Sequence, residues 1–560
     1  MNSLFQYPLN LTTMIIVRNL IEENEIYRNL RAQIDRFLDP YSRIQVLLFT
    51  MIFCLFSQKI ISFISENEFS FATIITHLFR FVINLPILKT FVKNEMKKID
   101  KTIEAKCREI FCDQKFLVEL PQKGLSVDSI LDKLRVYKTL SKIDFRHGRV
   151  SGAIYSNLND DSTRLFKEIY AETSYTNPLH PDIFPGIAKM EAEVVRMVIN
   201  LYNGHENCCG SLTSGGTESI ILAVKAYRDY GRKIRGIIKP ELVLPDTAHA
   251  AFHKACQYFN VKLRLIPVDS RTFEANIRAM ERAINRNTIA LVGSACAFPH
   301  GIIDDIQSLA KIGLKHSIPV HVDCCLGGFI VPFVKDAGFP IEPVDFSVKG
   351  VTSISCDTHK YGYAPKGSSI IMYSDTKYRI HQYSVQTDWP GGIYASPTIA
   401  GSRCGANIAT CWASLLHYGY DGYVEATRLI LQTQRKLKNE LEKISEIFIL
   451  GDPKLTVIAI GSNEFDIFRL SDLMTEKGWN MNPLQFPSAV HICLTMMHVP
   501  ENVIEEFIVD LKNSIKICIS EPKKKTTSAG AIYGMAQSIP DRSMVSDIAC
   551  QYLNAISSTS

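Results

Sequence analysis

Apolar positions along this chain fall into two regimes. From about residue 190 to 375, short β-branched runs alternate with stretches whose apolar residues recur at helical spacing, the signature of βαβ units. "ELVLP" (241–245), "TIALVGSA" (288–295), "IPVHVD" (318–323), "TSIS" (352–355) and "SIIMY" (369–373) read as buried strands. "TFEANIRAMERAINRN" (272–287) reads as a helix, with Phe273, Ile277, Met280 and Ile284 along one face. The pattern predicts an α/β fold: an open, mostly parallel sheet with helices on both faces, binding its ligand at the carboxyl ends of the strands. It occupies a large domain, 151–420, preceded by a linker and helical segment, 65–150. Residues 421–520 predict a smaller C-terminal α/β domain, with a helix around "EATRLILQTQRKLKNELEKI" and strands in "KLTVIAIGS" and "SAVHICLTMM". "EPKKKTTSAG" opens a polar linker and tail, 521–560.

The second regime lies near the N-terminus, after residues 1–43. "IQVLLFTMIFCLFS" (44–57) carries no charge, and the apolar stretch resumes at Ile60. A bilayer core needs about 20 apolar residues as a helix, so 44–64 suffices for one transmembrane helix if Lys59 reaches the interface. The bland alternative is a buried helix. The stretch stands too far along, and lacks a cleavage site, for an ordinary signal peptide. Phe69 to Leu88 holds Arg80, Asn84 and Pro86 and reads as interfacial or packed. Arg28, Arg31, Arg36 and Arg43 precede the span and only Arg80 follows closely, which by the positive-inside rule places the N-terminus in the cytosol.

Composition narrows the function classes. With 46% hydrophobic and 21% charged residues the chain is ordinary globular protein, and a net charge of +5 leaves no nucleic-acid footprint. The 15 cysteines are scattered, with Cys208-Cys209 and Cys324-Cys325 adjacent and no CxxC pair. That speaks against a metal site and a disulfide framework, and for a reducing compartment. The cysteines place the large domain in the cytosol, against the arginine count. They carry more weight, because long domains weaken the charge rule.

Chemistry gathers in four stretches, each near a predicted strand end. In "SLTSGGTESIILAVKAY" (211–227), Gly215 and Gly216 let the backbone approach a ligand. Ser214 and Thr217 offer hydroxyls, and a helix begins, so the turn suits an anion. On its own such a string is more often a mere turn and cap. In "PDTAHAAFHKA" (245–255), His249 is placed to stack on a planar ring, or is simply a satisfied histidine. In "IPVHVDCCLGGF" (318–329), Asp323 follows a strand among small and apolar neighbours, where a carboxylate is costly unless paired. It is either a helix cap or the partner of a protonated pyridine nitrogen. In "CDTHKYGYAPKG" (356–367), burial beside His359 and Lys366 is expected to depress the Lys360 amine and make it nucleophilic. Together the four are what pyridoxal 5'-phosphate requires: a phosphate cradle, a stacking ring, a carboxylate for the ring nitrogen and a lysine for the aldehyde.

In this order the motifs resemble the pyridoxal-phosphate enzymes of the group II decarboxylase type. "SGAIY" (151–155), "NPLHPDIFPGIAKMEAEVV" (177–195), "TDW" with "GGIYASPTIAGSR" (387–403) and "IYGMAQ" (532–537) narrow the resemblance to the sphingosine-1-phosphate lyases, over about residues 95–555. The resemblance implies the aspartate-aminotransferase-like fold (fold type I). Lys360 would be the Schiff-base lysine, Asp323 the partner of the ring nitrogen, and His249 the stacking ring. Gly216, Thr217 and His359 would hold the cofactor phosphate. Gly401 and Ser402 would reach a partner subunit's cofactor, making a homodimer. Tyr155, His180 and Lys366 would surround the substrate phosphate and the scissile bond, with Lys360 and Tyr155 both candidates for the base. The implied activity is retro-aldol cleavage of phosphorylated sphingoid bases to a long-chain aldehyde and ethanolamine phosphate. The implied place is the endoplasmic reticulum membrane, with the catalytic body in the cytosol. Pro390 and Cys404 stand where the family usually has glutamine and proline, and a tryptophan usual before "GRVSG" is absent; these departures bear on turnover and chain-length preference. An amino-acid decarboxylase of the same fold and a catalytically silent membrane-bound relative are the competing readings.

Overall fold

The computed structural model describes residues 86–111, 114–141, 143–157, 160–522, 524, 526 and 542–559. The expected membrane span at 44–64, the apolar stretch up to residue 85 and "IYGMAQ" lie outside the described residues. Among the described residues no helix is long and apolar enough to cross a membrane. Helices Pro86–Ile110 and Arg542–Ile556 stand at the two ends of the described chain. The body taken up below falls within Ile103–Ile539.

Seven strands form the main sheet: β1 (Cys209–Thr213), β2 (Glu241–Pro245), β3 (Lys262–Ile266), β4 (Thr288–Ser294), β5 (Val320–Cys324), β6 (Val351–Cys356) and β7 (Ser369–Tyr373). Their order is β1-β7-β6-β5-β4-β2-β3. The pairs from β6 through β3 are parallel, whereas β7 runs antiparallel to both β6 and β1. β2, β4 and β7 read as mostly apolar runs because both faces are covered. β2 shows the two faces directly: Leu242 and Leu244 pack with Ile220, Val224 and Tyr227, while Val243 packs on the other side with Leu291 and Val322. β3, at the sheet edge, places Lys262 and Arg264 there, and charge on an edge strand discourages further pairing.

Three helices position the site. α1 (Pro185–Leu201) packs on β1, and α2 (Gly216–Arg235) follows β1 directly. α3 (Gly405–Leu441) is broken at Gly419, whose φ of 61° is the left-handed region where glycine is at ease. A second sheet of four short antiparallel strands follows: β10 (Phe448–Ile449), β11 (Val457–Gly461), β12 (Asn482–Leu484) and β13 (Ala489–Cys493). The hairpin β8 (Ser384–Gln386) and β9 (Tyr394–Ser396) stands apart from both sheets. The helix expected over 272–287 is confined to Ile277–Ala283, capped by the Asn276 side chain, because Phe273 takes a left-handed conformation and 267–276 runs as loop.

Candidate active site

β1 is parallel to β6 through the two antiparallel steps at β7, so the carboxyl ends of β1, β2, β4, β5 and β6 share one edge of the sheet. All four sequence motifs open from that edge. In the register, Asp323 pairs with Ser355, and Cys324 with Cys356. The loop carrying His359 and Lys360 therefore leaves the sheet next to Asp323.

The turn after β1 is fixed by its own helix. Glu218, in the first turn of α2, accepts the Ser214 N–H at 2.7 Å with one oxygen and the Ile399 N–H at 2.9 Å with the other. Hydroxyls of Thr213, Ser219 and Ser369 join β1, α2 and β7 at 2.7 and 2.8 Å. Gly216 permits a close approach: a Cβ there would stand 2.7 Å from Asp357 Oδ1 and from Cys325 Sγ. His359 stands over the same turn, its Cε1 3.3 Å from where a Cβ on Gly215 would lie. Its Nδ1 accepts the Ser368 N–H at 3.2 Å. Thr217 is exposed at the mouth of the turn.

Asp323 is buried, and one of its oxygens, Oδ1, accepts the Cys325 N–H at 3.0 Å and the Ser355 hydroxyl at 3.2 Å. His321, two residues earlier and so on the same face of β5, contacts Ser355 through Nε2 at 3.3 Å and Ser353 through Nδ1 at 2.8 Å. Burial lowers His321 to about 4, so the ring is neutral. Ser353 also meets the Tyr227 hydroxyl at 2.6 Å. A line of hydroxyls and an imidazole thus backs Asp323, and sequence reading missed it. The signal was the i, i+2 parity of His321 and Asp323 in "VHVD".

His249 follows β2. Its Nδ1 accepts the Ala251 N–H at 3.1 Å, and its ring lies edge-on to Phe298 at 6.0 Å.

Lys360 differs from expectation. Its neighbours along the chain, His359 and Lys366, were expected to depress it. Burial does pull the ammonium down, but Asp357, with Oδ2 2.9 Å from Lys360 Nζ, outweighs this and holds it above the ordinary lysine range. The depressed lysine is Lys366, lowered by burial and by the Lys360 charge. Lys366 Nζ donates to the His359 carbonyl at 3.3 Å and lies 4.6 Å from the centre of the Tyr155 ring. Tyr155 packs edge-on against Tyr361 at 4.9 Å, and burial raises its phenol. Both candidates for the base therefore hold their protons in this arrangement.

His180 is exposed, and its side chain has no contact with the groups around Lys360 among those described. Its loop is tied to the segment after β9: the Asn177 amide donates to Ser402 Oγ at 3.1 Å and accepts the Arg403 N–H at 3.2 Å. Arg403 forks onto Glu191 of α1 at 2.6 and 2.9 Å. The structure thus gathers Asp323, Gly216, His359, Lys360, Lys366 and Tyr155, and places His180, Gly401 and Ser402 in a second cluster.

The first cluster fits pyridoxal 5'-phosphate. It offers a turn that only a glycine leaves open, a buried carboxylate at the neighbouring strand end and an amine beside it. Asp357 Oδ1, at the floor of that turn, is buried without a hydrogen-bond partner among the described residues. Among the described residues no group of histidine, cysteine or carboxylate side chains could hold a metal ion.

The pyridoxal-dependent decarboxylase conserved domain matches residues 103–461. The sphingosine-1-phosphate lyase of Drosophila melanogaster is 50% identical over 478 residues, covering 85% of this chain and 88% of that protein. This chain belongs to the sphingosine-1-phosphate lyase family. Sphingosine-1-phosphate lyase 1 of Rattus norvegicus is 51% identical over 483 residues, 86% of this chain and 84% of the relative. Among solved structures, the sphingosine-1-phosphate lyase of Burkholderia pseudomallei superposes with a TM-score of 0.70 at 37% identity, covering 72% of this chain and 94% of that one. Glutamate decarboxylase of Lactobacillus brevis, at 21% identity and a TM-score of 0.63 over 74% of this chain and 97% of that one, shares the fold. The family depends on pyridoxal 5'-phosphate and cleaves a carbon–carbon bond.

Proposed function

We propose that this chain cleaves the C2–C3 bond of phosphorylated sphingoid bases, releasing a long-chain aldehyde and ethanolamine phosphate. The observation that carries the reading is the meeting of Asp323, His359 and Lys360 at one sheet edge, in a chain matched by sphingosine-1-phosphate lyases over most of both lengths. When bound, the cofactor supplies an aldehyde for the substrate amine and a ring that takes up the electrons of the broken bond.

The chain's own groups do the rest. Lys360 bonds the cofactor aldehyde. Asp323 keeps the proton on the ring nitrogen, and the Ser355 and Cys325 donors hold its carboxylate in place. His249 covers the ring. The helix N-terminus at Gly216 and Thr217, with His359, holds the cofactor phosphate. Lys366 and Tyr155 receive the substrate head, and the Lys366 charge favours its phosphate.

His180, Gly401 and Ser402 complete the site from a second subunit. Two features support a homodimer. The apolar side chains Trp389, Ile393 and Ile399 are exposed beside Gly401 and Ser402. Helix Val127–Lys138 buries no residue and exposes Ile130, Leu134 and Tyr137 at helical spacing. A tether at residues 44–64 places the enzyme at the endoplasmic reticulum membrane, where its insoluble substrate resides, with the catalytic body in the cytosol. Product analysis tests the reading: a long-chain aldehyde with ethanolamine phosphate supports it, and carbon dioxide from an amino acid refutes it.

A further inference from the structure

Asp357 stands outside every role assigned above. It directly follows β6 and is 2% exposed. Its Oδ2 lies 2.9 Å from Lys360 Nζ and 3.7 Å from His359 Nε2. Its Oδ1 is buried with no hydrogen-bond partner among the described residues. A carboxylate so enclosed is costly unless a cation balances it. The cations near it are Lys360, His359 when protonated and, from the far end of the loop, Lys366. The other groups acting on Lys360 are Cys325, from the end of β5, and Tyr155. Cys296, after β4, and Cys493, at the end of β13, also sense its charge. Burial raises all four; Asp357 is the carboxylate in contact with Lys360, and Asp323 acts on Cys296 and Cys325 beside it.

We propose that Asp357 is a positioning residue for the reaction: its carboxylate keeps a proton on the Lys360 nitrogen, so that this nitrogen serves as the acid of the cycle and not as its base. The inference rests on the reading of Lys360 as the lysine that bonds the cofactor. The contact spans three residues of one loop, and that loop is pinned on both sides. Thr358 Oγ1 donates to Ser368 Oγ at 2.7 Å, and the Tyr361 hydroxyl donates to the Leu494 carbonyl at 2.7 Å. The carboxylate and the lysine side chain therefore start from one pinned loop, 2.9 Å apart at their charged ends. With the cofactor bound, Lys360 would hold it through this nitrogen, and a substrate entering as an ammonium would leave one proton with Lys360 as it takes its place. Lys360 would then be an ammonium able to give that proton to the substrate carbon left by cleavage, returning to the neutral amine that holds the cofactor.

The test is a pH titration of the visible absorption of the holoenzyme, which reports the proton on the lysine nitrogen. The native protein should keep its low-pH spectrum into the alkaline range. In Asp357→Asn, which keeps the volume and removes the charge, the midpoint should fall by about one pH unit or more, roughly a tenfold loss of proton affinity. Asp357→Glu should recover most of the shift, which a role in packing alone would not give. Borohydride reduction and peptide mapping accompany each titration. An unmoved midpoint in Asp357→Asn, with the label still on Lys360, overturns the role of Asp357 and leaves the lyase reading standing. A label on another lysine in the native protein removes the assignment of Lys360 and the proposal with it. If Asp357→Asn does not fold or load cofactor, the native titration decides: a midpoint below neutrality overturns the proposal.

Discussion

On the proposed reading, the half-buried Lys360 amine carries the cofactor. Lys360→Ala is expected to abolish turnover while leaving the fold intact, since the side chain packs in a loop and not in either sheet. Borohydride treatment of the native protein should fix the cofactor on residue 360, and a label on Lys366 or Lys254 would sink the assignment. Asp323→Asn should keep some cofactor and lose activity about a hundredfold or more, because an amide does not hold the ring nitrogen protonated. Near-normal kcat in that variant would reduce Asp323 to a turn cap on Cys325. Both residues were legible because their types are out of place: a carboxylate after a buried strand and a lysine after a histidine. Asp357 was not, for a reason that also explains the error about Lys360. Neighbours counted along the chain are His359 and Lys366, both of basic type. The turn after β6 instead brings the residue three positions back to within 2.9 Å of the amine, and that residue is acidic.

At the scale of elements, β2, β4 and β7 were legible as short, mostly apolar runs buried on both faces, and β5 and β6 as β-branched runs interrupted by polar residues. β1, "CGSLT", and β3, "KLRLI", were missed. The first is small and polar, and the second alternates charge with leucine at an open edge. The reversal of β7 was not legible either. Its composition matches the parallel strands, and only the twelve-residue connection 357–368, at the lower limit for a helix and crossover, hints at an antiparallel partner. The first residue of α2 makes a sharper prediction. Gly216→Ala places a methyl 2.7 Å from Asp357 Oδ1 and Cys325 Sγ, both buried, with Asp357 held by Lys360 through its other oxygen and Cys325 held by Ser355. Overpacking of this kind costs about 1–3 kcal/mol, so cofactor affinity should fall about tenfold or more. Equilibrium titration with pyridoxal 5'-phosphate measures it, and unchanged affinity would show that the floor of the turn moves freely.

Across the whole molecule, acid stability follows from buried imidazoles. His300, His321, His491 and His498 are each lowered by burial from 6.5 to about 4. As pH falls below 6.5 the unfolded chain takes up these protons and the folded chain refuses them until about 4, so their stabilisation is complete above 6.5 and is lost on the way down. Each contributes at most about 3 kcal/mol to that loss. Asp304 works the other way between about 6 and 3.8, since burial raises it, and offsets part of the slope. Urea midpoints measured from pH 7 to 4 should therefore fall steadily; a flat profile would mean that water reaches these rings. Removal of residues 1–85 should leave a protein that still cleaves detergent-dispersed substrate but no longer sediments with membranes. Loss of cofactor on truncation would instead make that segment part of the folded body. The chain position next to the reactive lysine carries one more consequence. Tyr361 is fully buried, and its hydroxyl is bolted to the Leu494 carbonyl just past the second sheet. The amine is thereby geared to the strand β13 beneath it. A mutation that shifts that small sheet is therefore expected to disturb the lysine through one phenol ring, without touching the mouth of the site.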